Sequence, residues 1–220
     1  MKNYSDDRAF AFRFYANLVK RYKNSGNLLE IGCSFGHLLK RLEKKFNAHG
    51  IDKSPYAIKL SKNVCKGSKT SIGDAENLRF GNNSFDVVIA LHVLEHIKNP
   101  DKAVNEVNRV LKKGGVFIFA TPNISSPMRK IKGKNWFGYL DKTHVSMLEP
   151  KEWIEILEKR KFRLVKTFSD GFWDAPYAPF IPVMIQKPVF GFMTAVQFIF
   201  CLPFIPVRLG ENLVVVAKKH

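Results

Sequence analysis

Short apolar runs alternate with longer amphipathic segments over the first half of the chain. The apolar runs predict strands near residues 27–31, 48–51, 68–72, 84–90 and 115–120. The segments around them predict helices over residues 5–23, 36–46, 55–64 and 100–111, because their apolar positions recur at helical spacing. Such alternation is typical of an α/β protein with a parallel, doubly wound sheet, whose ligands bind at the carboxyl ends of the strands.

The last third of the chain predicts two more strands with an apolar segment between them. The strands are expected over 162–168 and 212–218, and the hydrophobic insert covers about 175–208 within a single domain of residues 1–220. Twenty residues from Pro188 to Val207 carry no charge, which is long enough to span a bilayer. The prolines near its end favour an interfacial helix or a lid on an acceptor pocket, and packing on its own domain or in a dimer is the alternative.

A glycine turn follows the first predicted strand. Residues 30–36 read E-I-G-C-S-F-G, and Asp52 lies twenty residues after Gly32, at the end of the second strand. In nucleotide-binding α/β units, such a turn lets the backbone approach the ligand, and the later acidic side chain accepts hydrogen bonds from ribose hydroxyls. The glycine spacing differs from the dinucleotide pattern G-x-G-x-x-G, so the turn favours another ribose-containing cofactor.

The turn resembles motif I of class I S-adenosylmethionine-dependent methyltransferases. Three later segments are similar to that family in the same order, namely 73–78 (G-D-A-E-N-L), 84–90 and 111–117. The resemblance implies a Rossmann-like, seven-stranded, mostly parallel sheet with an antiparallel last strand, and S-adenosyl-L-methionine as the cofactor. The family's usual middle glycine is Ser34 here, and we expect Ser34 to keep a negative φ.

The resemblance also implies roles for particular residues. The turn would hold the methionine end of the cofactor, Asp52 the ribose and Asp74 the adenine amino group. The predicted cofactor-binding residues are Glu30, Gly32, Cys33, Ser34, Gly36, Asp52, Lys53, Asp74, Ala75 and Leu91. Each motif also has a structural alternative, because Gly36 could merely permit close helix packing and either aspartate could cap a following helix.

Methyl transfer mainly requires alignment of donor and acceptor, and a base is needed only when the acceptor atom is protonated. The predicted catalytic residues are His144 and His92. His144 lies in a T-H-V segment that recurs near the acceptor pocket in branches of the family, and His92 follows the fourth strand. The alternative for His144 is a hydrogen bond to the backbone that holds the active-site loop.

His92, Glu95 and His96 have a spacing that would place them on one face of a helical turn. Two imidazoles and a carboxylate suit a divalent ion, and the stretch resembles the E-x-x-E-H metal motif of ubiquinone-pathway O-methyltransferases. The first glutamate of that motif is His92 here. We therefore expect no metal, with these three residues as the alternative ligand set.

The cysteines, the first eight residues and the net charge predict where the protein is located and what kind of partner it binds. The three cysteines, Cys33, Cys65 and Cys201, are scattered without metal-type spacing, and residues 1–8 are too polar for a secretory signal, so we expect a cytoplasmic protein. The net charge of +17 would attract nucleic-acid phosphates or anionic lipid headgroups. A basic and aromatic run over 129–137 could grip a phosphate-bearing acceptor or form a solvated lid.

These features together predict a methyltransferase that acts on a lipophilic or membrane-associated small molecule, at oxygen. An anionic membrane surface is an expected partner through residues 176–207, and nucleic acid is the less favoured one. RNA methylation is one alternative. A cofactor-binding or membrane-scaffold module without turnover is the other.

Overall fold

Seven strands form one mixed sheet in this computed structural model, which describes residues 9–172, 175–178 and 180–220. The strands are β1 (Gly26–Ile31), β2 (Phe46–Asp52), β3 (Lys69–Ile72), β4 (Phe85–Leu91), β5 (Leu111–Pro122), β6 (Phe162–Phe168) and β7 (Asn212–Lys219). Their spatial order is β3-β2-β1-β4-β5-β7-β6. The pairs among β1 to β5 are parallel, and β7 runs antiparallel to both β5 and β6. The predicted fold class is confirmed.

The described residues form eight α-helices, six of which cover the two faces of the sheet. The eight helices are α1 (Ala9–Tyr22), α2 (His37–Leu42), α3 (Pro55–Val64), α4 (Pro100–Val110), α5 (Pro127–Lys132), α6 (Phe137–Leu140), α7 (Pro150–Lys159) and α8 (Val183–Phe200). Apolar side chains of α1, α2, α3 and α8 pack on one face, and those of α4 and α7 pack on the other. Residues 5–8 of the expected first helix lie outside the described part of the chain.

Three predicted element boundaries are wrong, namely the end of α2 and the starts of β2 and β5. The helix expected over 36–46 ends at Leu42, and β2 begins at Phe46 instead of residue 48. Phe46 and Ala48 are both buried and pair with β1, so strand burial outweighs the helical propensity of the lysine-rich segment before them. The fifth strand begins at Leu111 instead of residue 115, because Leu111 already pairs with Phe85.

The strand order places the ligand-binding crevice between β1 and β4. The chain moves from β1 outward to β2 and β3, then returns to β4 on the other side of β1. Loops at the carboxyl ends of β1 and β4 therefore diverge and leave a cleft, as in other open α/β sheets. The glycine turn after Ile31 and the loop after Leu91 form its two walls.

The apolar segment between β6 and β7 forms α8 and its irregular flanks. α8 has 18 residues with a mean hydropathy of 1.4, so by length and composition it could cross a membrane. Gly171 and Glu211 bring the two ends of the segment together, because the Glu211 N–H donates to the Gly171 carbonyl over 3.3 Å. Pro179 of the expected insert lies outside the described residues.

Candidate active site

The glycine turn contains three residues in the left-handed backbone region. The φ angles are 71° at Gly32, 46° at Ser34 and 80° at Gly36. The expectation of a negative φ at Ser34 is therefore wrong. The Ser34 N–H donates to Asp52 Oδ2 over 2.9 Å, and this charge-assisted hydrogen bond offsets the strain of a left-handed serine.

The two glycines are also required for space. A Cβ at Gly32 would lie 2.2 Å from Val93 Cγ2, on the opposite wall of the crevice. A Cβ at Gly36 would lie 2.5 Å from Cys65 Sγ at the end of α3. Gly36 thus permits close packing of α2 on α3, whereas Gly32 sets the width of the crevice.

Asp52 connects the ends of the first two strands. One carboxylate oxygen accepts from Ser34, and the other accepts from the Ser54 N–H over 2.8 Å. The side chain is half-buried at the crevice. Carboxylate oxygens have further lone pairs, so this geometry leaves acceptor capacity for ribose hydroxyls.

Glu30 supplies a buried carboxylate at the end of β1. Its exposure is 5%, and burial raises the pKa of this carboxyl well above its usual value of 4.5, with the nearby Asp52 charge acting in the same direction. Glu30 Oε2 has no hydrogen-bond partner in the part of the chain that the structure describes. A buried carboxylate of this kind fits a ligand that brings a positive charge.

A cavity of about 1180 Å³ extends from the glycine turn across the ends of β4 and β5. Eight of the ten predicted cofactor-binding residues line it, namely Glu30, Gly32, Cys33, Ser34, Asp52, Lys53, Ala75 and Leu91. Gly36 and Asp74 are not in its wall. Asp74 lies between the lining residues Gly73 and Ala75; it accepts from the Glu76 N–H over 2.9 Å and lies 3.4 Å from Lys53 Nζ, and its contact with adenine stays a prediction.

The prediction that His92, Glu95 and His96 share one helical face is wrong. His92 has a φ of 54° at the end of β4, and only Leu94–His96 form a 3₁₀ turn. His92 Nδ1 lies 3.3 Å from Glu95 Oε1, while His96 Nδ1 lies 2.8 Å from Thr143 Oγ1. The ligand atoms of Glu95, His96 and His144 all lie within 4.8 Å of one another, and this different set could hold a divalent ion.

His144 lines the cavity opposite the glycine turn. Its Nδ1 lies 2.7 Å from the Gly138 carbonyl oxygen, which can only accept, so Nδ1 carries the proton and Nε2 of the neutral ring has a free lone pair. Nε2 lies 3.8 Å from Asp141 Oδ2. Hydrogen bonds from Thr143 hold the pKa of the Asp141 carboxyl below its usual range. His144 therefore shows both the backbone contact and a nitrogen that can accept a proton.

Three buried polar residues at the far end of the cavity were not among the predicted site residues. Asp170 accepts from the Tyr15 hydroxyl over 2.8 Å and from Asn212 Nδ2 over 2.9 Å. Burial raises the pKa of Tyr15 well above 10.0, so this phenol is a neutral donor. Asn212 Oδ1 has no hydrogen-bond partner among the described residues. The only available signal in the sequence was a polar residue at each end of the apolar insert.

The basic run after β5 is partly directed into the protein. Lys132 is 3% exposed and forms a 2.6 Å ion pair with Glu211, which is fully buried. Arg129 donates to the Tyr139 hydroxyl over 2.9 Å, and Trp136 is fully buried. Lys130, Ile131 and residues 133–135 are exposed, whereas Phe137 and the following Leu140 line the cavity, so one side of the segment faces solvent and the other faces the cavity.

Comparison with known proteins agrees with this geometry. A family described as "methyltransferase domain" matches residues 5–167, and the chain belongs to that family. It is an S-adenosylmethionine-dependent methyltransferase, with S-adenosyl-L-methionine as its cofactor.

Relatives and solved structures support the assignment. An uncharacterized protein of Methanocaldococcus jannaschii is 34% identical over 185 residues, covering 74% of this chain and 72% of its own. Ajmaline N-methyltransferase of Rauvolfia serpentina is 28% identical over 152 residues, covering 58% and 52%. Phthiotriol/phenolphthiotriol dimycocerosates methyltransferase of Mycobacterium leprae is 35% identical over 118 residues, covering 49% and 44%. The crystal structure of a methyltransferase from Thermotoga maritima shares the fold, with a TM-score of 0.69, 19% identity and coverage of 100% and 94%.

Proposed function

We propose that this methyltransferase transfers the methyl group to a hydroxyl oxygen of a lipophilic small molecule. The observation that carries the proposal is the contrast between apolar and polar side chains in the acceptor half of the cavity, the part in which the methyl acceptor would bind. This half is formed by the cavity-lining residues of α1 and by those that follow β4, and its apolar side chains include Phe12, Val93, Ile97, Pro122 and Leu140. Its polar groups are the histidines after β4 and β5, the carboxylates of Glu95 and Asp141, and the cluster of Tyr15, Asp170 and Asn212. Such a wall suits an apolar body with a polar reacting end.

The cofactor half supplies the groups that S-adenosylmethionine requires. In this proposal the Glu30 carboxylate pairs with the ammonium of its methionine end, and Asp52 accepts hydrogen bonds from the ribose hydroxyls. The cofactor, when bound, supplies an electrophilic methyl group on a sulfonium. Gly32 leaves the space in which the reacting atoms can meet, because any side chain there would collide with Val93.

His144 acts as the base in this proposal. The acceptor hydroxyl would transfer its proton to Nε2 as its oxygen bonds to the methyl carbon and the methyl–sulfur bond breaks, with the electron pair of that bond staying on sulfur in the departing S-adenosylhomocysteine. The Nδ1–H bond to the Gly138 carbonyl keeps the ring in the correct tautomer, and Asp141 stabilises the positive charge that develops on the ring. The proton then passes to solvent at the exposed Asp141 side. His92 orients the acceptor from the end of β4.

The buried cluster of Tyr15, Asp170 and Asn212 positions the acceptor. Asn212 Nδ2 is committed to Asp170, which fixes the amide so that Oδ1 is the group without a partner. The amide oxygen Asn212 Oδ1 can only accept a hydrogen bond, so it favours a substrate that carries a hydrogen-bond donor. The Mycobacterium leprae relative supports a lipid-like substrate, since its name gives it phthiotriol dimycocerosates as acceptors.

The direct experiment is an incubation of the protein with S-[methyl-³H]adenosylmethionine and either a total lipid and quinone extract or total RNA. We expect label in the organic phase with the extract, and only background incorporation with RNA. The Asp52→Ala variant is the control, because any label that it still incorporates does not depend on the proposed cofactor site. Incorporation into RNA alone would replace the proposal with the RNA alternative. Absence of incorporation from both, with intact cofactor binding, would favour a module without turnover.

A further inference from the structure

The polar side chains of helix α8 that the structure describes face the protein. Gln186, Thr194 and Gln197 lie on one side of α8, and all three are buried. Gln197 donates to the Ser169 carbonyl over 3.0 Å and accepts from the N–H groups of residues 204 and 205. Thr194 Oγ1 accepts from the Phe172 N–H over 2.9 Å, and Gln186 bonds the backbone of residues 177, 178 and 181.

The opposite side of α8 is apolar and exposed. Met184 is 88% exposed and Phe192 is 68% exposed. Every residue of α8 that the structure describes as exposed is apolar, namely Val183, Met184, Ile185, Pro188, Val189, Phe192, Ala195, Ile199 and Phe200. We call this surface the outer face of α8. A helix on a water-exposed protein surface shows the reverse arrangement, with its apolar stripe toward the core.

The flanks extend the outer face beyond the helix. Phe180 is 96% exposed on one side, and Leu202 and Phe204 are about half exposed on the other. Scattered exposed apolar residues are ordinary, but a contiguous set of this size marks an interaction surface.

Charge identifies the kind of partner. Residues 175–210 contain no aspartate or glutamate. Arg13 and Arg21 of α1 are exposed and donate to the carbonyl oxygens of Ile199 and Cys201, at the end of α8. Exposed Arg208 follows on the return to the sheet. An apolar surface with a cationic margin is complementary to a bilayer with anionic headgroups.

We propose that the outer face of α8 docks the enzyme on an anionic lipid surface, with the helix lying in the plane of the interface. A membrane-spanning orientation would break the bonds of Gln186, Thr194 and Gln197 to the loops, and these bonds would have no replacement in hydrocarbon. The chain segment that contains α8 lies between Asp170 and Asn212, which both line the cavity. Docking of α8 therefore brings the cavity close to the membrane. The link between docking and acceptor delivery rests on the proposed function.

The test is co-sedimentation of the full chain with vesicles of phosphatidylcholine alone or of phosphatidylcholine with phosphatidylglycerol. We expect binding to the anionic vesicles that weakens in high salt. The double variant M184Q/F192Q should lower the partition by about tenfold or more, because each change withdraws an apolar side chain from the interface. The matched control I72Q/V165Q changes exposed apolar residues on the edge strands β3 and β6, and should pellet like the unchanged protein.

Two outcomes would overturn the docking proposal. One is equal pelleting of M184Q/F192Q and the unchanged protein. The other is the absence of vesicle binding together with a concentration-dependent dimer that M184Q/F192Q abolishes in sedimentation velocity, which would assign the outer face to a second copy of the chain. Calorimetric binding of S-adenosylhomocysteine by each variant verifies its fold. Vesicle binding without methyl transfer to any lipid would contradict the proposed function and leave the docking in place.

Discussion

Ser34 and Asp52 join the ends of β1 and β2 through a 2.9 Å hydrogen bond from the Ser34 N–H to Asp52 Oδ2. The bond stabilises a serine with a φ of 46° where related turns have a glycine. It also fixes the carboxylate, because the second oxygen is held by the Ser54 N–H. Asp52 is thus both a structural member of the turn and the proposed partner of the ribose.

Asp52→Ala should weaken cofactor binding by roughly 10- to 100-fold. The change removes hydrogen bonds to a charged group, each worth about 1.5–3 kcal/mol, and releases the turn. Calorimetric titration with S-adenosylhomocysteine measures the effect. Asp86→Ala is the matched control, because Asp86 also accepts a backbone N–H, from Asn27 over 2.8 Å, but lies outside the cavity wall. Equal affinities of the Asp52→Ala and unchanged proteins would refute the ribose assignment.

Gly32→Ala should destabilise the fold by roughly 2–4 kcal/mol and abolish measurable cofactor binding. It combines a left-handed φ with a methyl group 2.2 Å from Val93 Cγ2. Gly114→Ala is the control for φ alone, since Gly114 has a φ of 69° and no atom within 4 Å of an added Cβ. Chemical denaturation of both variants separates strain from crowding. A Gly32→Ala protein no less stable than Gly114→Ala would contradict the crowded crevice.

Because of Glu30, we expect the free energy of unfolding to fall as the pH rises and the cofactor affinity to increase. The pKa of Glu30 is raised in the folded protein, so the unfolded chain releases this proton first. The contribution of Glu30 to the free energy of unfolding of the cofactor-free protein is therefore fully present below about pH 4.5. This contribution is progressively lost as the pH rises toward the pKa of Glu30 in the folded protein. Glu30→Gln should remove that loss, as measured by denaturation over a pH series.

An ammonium next to Glu30 would favour its charged form. Binding of S-adenosylhomocysteine should then release a proton, which calorimetry detects as a binding enthalpy that varies with the ionisation enthalpy of the buffer. Glu30→Gln should bind more weakly and release fewer protons. Identical proton release by both proteins would exclude Glu30 as the ammonium partner.

His144→Ala should lower kcat by about 100-fold or more while cofactor affinity changes little. The reason is loss of the proposed base, since the contacts that the structure describes for His144 are with Gly138, Asp141 and His96, none of which belongs to the glycine turn. Added imidazole should restore part of the rate, a response that a purely structural role would not give. His49→Ala, which removes a ring packed against Phe80 and Phe85 outside the cavity wall, is the control. Normal kcat in His144→Ala would reject this base.

The order of elements and the cofactor half of the site could be predicted because their signals are local. Residues 30–36 and Asp52 belong to consecutive elements whose positions follow from parallel pairing, and eight of the ten predicted residues do line the cavity. The early end of α2 was missed because burial of Phe46 against β1 is a tertiary effect. The left-handed Ser34 was missed because its partner, Asp52, lies 18 residues away.

The acceptor half could be predicted only in part. His144 was found through the family's T-H-V segment, but its closeness to His96 depends on how the loop after β5 folds back onto β4. The pairs of Tyr15 with Asp170 and of Lys132 with Glu211 join residues 155 and 79 positions apart. The inverted orientation of α8 has a different cause, because Gln186 and Gln197 bond backbone groups of nearby irregular segments, which hydrophobic periodicity does not describe.

The chemical position of the transferred methyl group decides whether the methyl acceptor atom is an oxygen. The labelled product from the lipid and quinone extract is purified and treated with hydriodic acid, which cleaves methyl ethers and esters to volatile methyl iodide. We expect the label to leave as methyl iodide, and His144→Ala to form little of this product. Label that stays on carbon in a non-volatile product, or that is found only in RNA, would contradict methyl transfer to the oxygen of a lipophilic acceptor.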